Sequence, residues 1–292
     1  MPSGPRNTQL PTKMPFAQWI PVPERWKSWA LPCSNPACSR TRLLLRLSRH
    51  YVGVRLGKQW FCSPDCFEEY LSGTITASIM SRQVDPPPVR RMPLGLLLLS
   101  RGVLTSEQLA SALSKQKSDG INLGEAVQLL GFASAEQVTA AVAAQWSCPV
   151  FALADRALSL PIRVPRRLLE QYEMLPVYFA KGDRRLTVGF VSRVEYQILS
   201  TVESITGCDA IPCFITGQDY RRRMEASALL TTENEVMFDR PMLGPEIARL
   251  GRNYVSQLGA IDTRFGMCRE YLWMRIWGRQ QETDILFRMQ QD

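Results

Sequence analysis

LGLLLLSRGVLTSEQLASALSKQ, residues 94–116, returns as LGEAVQLLGFASAEQVTAAVAAQ, residues 123–145, at a constant offset of 29. Gly95 and Gly102 align with Gly124 and Gly131, Leu109 with Val138, Ala112-Leu113 with Ala141-Val142, and Gln116 with Gln145. A gapless repeat of this kind signals one structural unit used twice. Each copy reads as a short helix, a turn containing glycine and a longer helix. Thr105 and Ser134 stand where helix N-caps belong, and Glu107-Gln108 and Glu136-Gln137 fill the first turns that follow.

Downstream the pattern changes. Apolar runs over 175–180 and 185–191 flank Lys181-Gly182-Asp183-Arg184, a hairpin signal. A helix is expected over 194–206, stopping at Gly207, then a strand over 209–215 and a helix over 218–228. The stretch 229–243 reads as a linker. A helix over 245–258 ends at Gly259, and short strands are expected over 263–266, 271–277 and 283–287. The fold class implied is α+β. Its order is a small cysteine-bearing module, a helical tandem repeat with a small α/β layer, then a helix with short antiparallel strands. The domain boundaries are a flexible basic arm over 1–30, a zinc finger over 31–72 and a Pro-rich linker over 73–90. The repeat-bearing domain follows over 91–228, divided into 91–146 and 160–228, then the linker over 229–243 and a C-terminal unit over 244–292.

The chain carries a formal charge of +8, concentrated near its start. Residues 1–50 hold eight Lys/Arg against one acid, Glu24, whereas residues 101–292 hold 22 of each sign. Such an arm suits an anionic partner such as nucleic acid or phospholipid, or remains a solvated tail. No signal peptide is recognised, and the longest apolar run, Leu94 to Leu99, falls far short of the roughly 20 residues needed to span a bilayer. A cytoplasmic location is expected. Disulfides are then disfavoured for the eight cysteines.

Four of those cysteines form two close pairs, Cys33-x₄-Cys38 and Cys62-x₃-Cys66, separated by 23 residues. Two paired thiol knuckles suit a tetrahedral zinc ion. Ser63 can cap, Pro64 suits the first helical position, and Cys66 falls in the first turn, where the helix dipole favours the thiolate. The segment WFCSPDCFEEYL, residues 60–71, resembles treble-clef or FCS/TRASH-type zinc fingers. His50, the single histidine, is an alternative ligand but reads better as a surface residue. Cys148, Cys208, Cys213 and Cys268 lack paired spacing and read as small buried hydrophobes. Trp26, Trp29 and Trp60 lie near basic residues and suit either packing or base stacking.

The repeat resembles the N-terminal, MshEN-type domain of type II secretion and type IV pilus assembly ATPases. That family carries two motifs R-L-G-x-x-L-x-x-x-G, then six residues, then L-x-x-A-L-x-x-Q, with five residues between motifs. Here they run Pro93–Gln116 and Asn122–Gln145. Leu175-Pro176, Arg185 to Phe190 and Thr206-Gly207 match the α+β half. The resemblance implies a cyclic di-GMP site. Leu94, Leu98, Leu109, Leu123 and Val127 would bed the ligand, with Gly95, Gly102, Gly124 and Gly131 allowing close approach. Gln116 and Gln145 would stand at the polar ends. The family's leading arginine is replaced by Pro93 and Asn122. Arg91 stands two residues upstream as a substitute. An arginine–guanine contact is worth about 1–3 kcal/mol.

Residues 257–279 resemble the segment that opens the motor region of the same ATPases, implying a truncated subdomain. G-x-x-x-x-G-K-[ST] is absent, Gly57-Lys58 being followed by Gln59. P-loop ATP hydrolysis is therefore excluded. With one histidine and no nucleophile–base pattern, no enzyme is expected. The resemblance implies a regulator or adaptor working with secretion or pilus machinery. A zinc-dependent nucleic-acid binder and a docking module without a nucleotide ligand are the alternatives.

Overall fold

The computed structural model describes residues 33–38, 53–81, 91–153, 160, 162–228 and 234–290. The expectations for the basic arm, for Trp26, Trp29 and His50, and for the triple proline lie outside these residues. Strands β1 (Val54–Leu56) and β2 (Gln59–Phe61) form a hairpin that leads into helix α1 (Pro64–Ser81). The repeat follows as α2 (Leu94–Ser100), α3 (Ser106–Asp119), α4 (Leu123–Leu129) and α5 (Ala135–Trp146). Next come α6 (Arg166–Gln171), β3 (Met174–Ala180), β4 (Arg185–Phe190), α7 (Tyr196–Thr206), β5 (Asp209–Phe214) and α8 (Gly217–Ala228). The chain ends with β6 (Glu235–Met242), α9 (Gly244–Gln257), β7 (Asp262–Cys268), β8 (Tyr271–Trp277) and β9 (Glu282–Met289). The architecture is α+β.

Local chemistry explains the repeat. Thr105 and Ser134 both close capping boxes, with Gln108 and Gln137 returning the bond. Gly102 and Gly131 sit at φ 67° and 70°, in the left-handed region that glycine reaches without a Cβ penalty. Gly95 and Gly124 serve another purpose. A Cβ on Gly95 would stand 2.8 Å from a Leu109 methyl, and one on Gly124 would stand 3.0 Å from Val138. The same two positions face Leu123 and Leu94 of the opposite copy at 3.3 and 3.7 Å. These glycines let the two short helices cross closely.

Strands β3, β4 and β5 form a small sheet, β3 antiparallel and β5 parallel to β4. The larger sheet has the order β2-β1-β7-β8-β9-β6. Two boundaries expected from sequence are corrected here. The stretch read as a linker over 229–243 contains β6, which pairs parallel with β9. Alternation in this segment is masked because Pro241 and a register shift between Phe238 and Met242 break the pattern. Likewise α1 runs on to Ser81, past the end expected for the cysteine module and into the region read as linker.

The larger correction is topological. The cysteine-bearing hairpin is no separate finger; β1 joins β7 in parallel, with Leu56 opposite Thr263. Phe61, Phe67, Leu71 and Ile75 share one core with Ile247, Val255, Leu272, Met274 and Phe287. Residues 54–81 and 235–289 therefore build one platform, and residues 91–228 are inserted between them. Strand β8 is buried along almost its whole length because both faces are covered. Leu272, Met274 and Ile276 face α1 and α9, while Tyr271 and Trp273 belong to the core shared with the inserted module. Helix α7 lies between β5 of the small sheet and β7 of the large one.

Candidate functional site

Two places in the fold concentrate polar chemistry. At the platform edge, the thiol sulfurs of Cys33, Cys38, Cys62 and Cys66 all lie within 4.8 Å of one another. Cys38 and Cys62 are 3.7 Å apart, and Cys62 and Cys66 3.5 Å. With zinc–sulfur bonds of about 2.3 Å, thiolates at tetrahedral corners stand about 3.8 Å apart, so the cluster has the right size for one ion.

Local structure holds each ligand. Cys62 follows β2 directly, and Cys66 sits in the first turn of α1, where its N–H donates to the Ser63 hydroxyl at 3.2 Å. In the first knuckle, the Asn35 N–H donates to the Cys33 sulfur at 3.5 Å, and Cys38 N–H donates to the Asn35 carbonyl at 3.1 Å. Without a cation the Cys62 and Cys66 thiols hold their protons. Burial, together with contacts from the Cys66 and Cys38 thiols, pushes Cys62 up to about 12, and burial raises Cys66 as well. A divalent ion reverses that preference by supplying positive charge to four sulfurs. The donor set therefore fits a thiophilic metal.

Sequence reasoning missed Asn35. It is buried, its side-chain amide donates to Glu69 at 2.7 Å, and its Oδ1 accepts from Ala37 N–H at 2.9 Å. The signal was present as Asn-Pro inside the knuckle, a turn-forming pair. The Trp60 ring packs across Gly53, which gives it a structural position, and the backbone N–H of Trp60 donates to the Ser34 hydroxyl at 3.2 Å.

The second place is the repeat. Leu98 and Val127 are fully buried, as are Gly95 and Gly124. The space expected to admit a ligand at the two inner glycines is filled by Leu109 and Val138 from within the chain. Leu94, Leu109, Leu123, Gln116 and Gln145 are half-buried, and Gly102 and Gly131 are exposed. Gln145 is engaged, donating to the Met92 carbonyl at 2.6 Å. The two positions aligned with the family's arginines are both helix N-caps. Pro93 caps α2 without a side-chain bond, and the Asn122 side chain accepts from Glu125 N–H at 2.8 Å. Arg91 lies with its guanidinium 3.5 Å from the centre of the Trp146 ring, beside Tyr196. Trp146 stands one residue beyond the second motif, where the motif spacing does not single it out.

The copies differ in one further respect. Val142 is buried, while its counterpart Leu113 is 47% exposed. In the second copy α5 packs on β5; in the first, the equivalent face of α3 meets solvent. Of the remaining cysteines, Cys208, Cys213 and Cys268 are buried as expected, and burial pushes Cys213 up to about 12, whereas Cys148, just past the end of α5, is only half-buried. Among the described residues no helix is long and apolar enough to cross a membrane.

No protein-family model matches the chain, and no curated protein matches it. Among solved structures, the chain is similar to MshE with cdg, at 23% identity over 47% of this chain and 99% of that one, with a TM-score of 0.39. It is also similar to the N-terminal domain of XpsE in two crystal forms, both at 20% identity. These cover 45% and 47% of this chain and 91% and 98% of those, with TM-scores of 0.36 and 0.29.

Proposed function

We propose that the protein is a non-catalytic cytoplasmic adaptor of a secretion or pilus-type assembly. In this reading the inserted module meets a protein partner, and the platform carries it. One observation supports this best. The positions where guanine-reading arginines stand in the resembled family are helix caps here, and the inner motif glycines are occupied by the chain's own Leu109 and Val138. The Asn122 side-chain oxygen is engaged by its own helix, and neither proline nor asparagine supplies the forked, charged donor pair with which arginine reads guanine O6 and N7.

Zinc is the metal assigned to Cys33, Cys38, Cys62 and Cys66, in a structural role, since all four positions are filled by protein. The neighbouring surface argues against nucleic-acid recognition by this module. Helix α1 presents Asp65, Glu68 and Glu69 beside the cluster, and Asp65 and Glu68 pair with Arg252 of α9. Phosphate contacts need the opposite charge.

Cyclic di-GMP is the second reading. The observation that favours it is Arg91, a cation already stacked on Trp146 at the start of the first motif. Calorimetric titration of cyclic di-GMP into the full chain separates the two. The adaptor reading expects no saturable heat up to high micromolar ligand. Micromolar or tighter binding, lost in Arg91→Ala, would overturn it and make the module a second-messenger reader.

A further inference from the structure

We infer that the four-cysteine site is the clasp of the discontinuous platform, so that metal occupancy governs the C-terminal sheet and helix α9 as well as the cysteine knuckles. The inference rests on the metal reading above. It differs from an ordinary finger, in which the metal stabilises only the short segment that supplies its ligands.

The seam between the two segments of the platform has little backbone pairing. Strands β1 and β2 have three residues each, and β1 meets β7 through Leu56 and Thr263 alone. Gly57 N–H adds bonds to the Thr263 carbonyl and to Asp262 Oδ1, both at 3.1 Å. A hairpin this short is not stable by itself. Val54, Leu56 and Phe61 anchor it in the platform core, and further contacts fix its two ends. On the open edge of β2, the first knuckle closes the ladder: Ser34 N–H donates to the Trp60 carbonyl at 2.8 Å, and Trp60 N–H returns to the Ser34 hydroxyl. That knuckle carries two of the four thiols, and the metal would add, to its hydrogen bonds with Trp60 and Glu69, a coordinate link to Cys62 and Cys66.

From Cys66 the clasp continues into the platform core. Phe67, Leu71 and Ile75 of α1 are completely buried. A Cβ on Gly251 of α9 would stand 2.9 Å from Met274 and 3.3 Å from Leu71, and one on Gly244 would stand 3.1 Å from Ile75. Arg252 of α9 bonds Asp65 and Glu68 at 2.9 and 3.4 Å, on either side of Cys66. The first turn of α1 thus carries a metal ligand on one face and the α9 contact on the other. Loss of the metal frees the knuckle, uncovers β2 and loosens the start of α1. Binding linkage makes the effect reciprocal: whatever disturbs the α1–α9 seam weakens metal retention by the same factor.

The test uses the full chain. Metal content is measured first, then amide hydrogen exchange with and without a thiol-competitive chelator. Expected are about one zinc per chain and, on chelation, joint loss of protection in residues 54–79 and 244–289, with residues 94–146 unchanged. Reciprocally, Gly251→Val should lower zinc affinity about tenfold in chelator competition. Arg252→Gln is the milder second probe should the valine prevent folding, and Gly73→Ala, which adds a methyl to open space on α1, should leave affinity unchanged. Zinc present but loss of protection confined to residues 33–66 would overturn the clasp while leaving the metal site intact. Absence of zinc would overturn both.

Discussion

Removing Asp284 tests how the inserted module is held to the platform. Asp284 accepts from Trp273 Nε1 at 2.6 Å and from both Arg275 Nε and NH2 at 2.8 Å. Arg275, 4% exposed, also donates at 2.8 Å to the carbonyl of Arg163, which precedes α6 in the inserted module. Asp284→Ala strands that guanidinium. Breaking a buried pair from one side costs about 3–5 kcal/mol. Glu282, 3.2 Å from Arg275 Nε, takes up part of the charge and places the expected loss near the lower end, about 3 kcal/mol. At roughly 2–4 °C per kcal/mol, the melting temperature should fall by about 10 °C. Urea unfolding followed by tryptophan fluorescence reads this directly, since Trp273 loses its acceptor. The double variant Arg275→Met/Asp284→Leu removes both charges and should cost less than the sum of the two single variants, while the unpaired Trp273 N–H and Arg163 carbonyl, at about 1–3 kcal/mol each, keep it from full recovery. A single-variant cost below about 1 kcal/mol, or a strictly additive cycle, would refute the claim that this pair is buried and coupled.

Three further outcomes follow from the geometry. Asn122→Arg restores the family's residue at an exposed position, yet with Gly95 and Gly124 packed against Leu109 and Val138 it should still give no saturable cyclic di-GMP heat up to high micromolar ligand, while costing about 1 kcal/mol of helix cap; calorimetry and thermal unfolding on the same sample check both. Gly95→Ala should cost about 1–3 kcal/mol through its methyl's overlap with Leu109, whereas Gly182→Ala, in open space, should cost little; parallel denaturant titrations decide it. Burial raises Asp262 above the ordinary carboxylate range, against the opposing pull of Arg264. Its folded form therefore favours the proton, and its contribution is full below the unfolded pKa and lost as pH rises through the folded one. Asp262→Asn should be the more stable protein at pH 7, with the gap narrowing as pH falls toward 4; equal melting temperatures at pH 7 would remove burial as the cause.

Much of the inserted module was legible in sequence because its determinants are local. Thr105 and Ser134 cap helices through residues three positions away, and Gly102, Gly131 and Gly207 end them through their own backbone angles. The hairpin turn over 181–184 and the alternation around it act within one supersecondary unit. The cysteine pairs were readable for a related reason: the two thiols of each pair are only a few residues apart, and the structure brings the two pairs together. Strand β6 was not legible, because Pro241 and a register shift remove the period that marks a strand. The packing of Gly95 and Gly124 against Leu109 and Val138 was not legible, since a glycine admits a ligand and a neighbouring side chain equally well until the neighbour is known.

The sequence by itself determined the repeat, its caps and turns, the thiol set and the lack of a P-loop, all carried by contacts over a few residues. Only the tertiary structure decided that the hairpin over 54–61 and the strands over 235–289 form one sheet. The pairing of Leu56 with Thr263 and the burial of Leu71 against Gly251 join residues far apart in the chain. No periodicity records which apolar faces will meet. That choice is made by the packing of whole elements, where Phe67, Met274 and Phe287 find a common core.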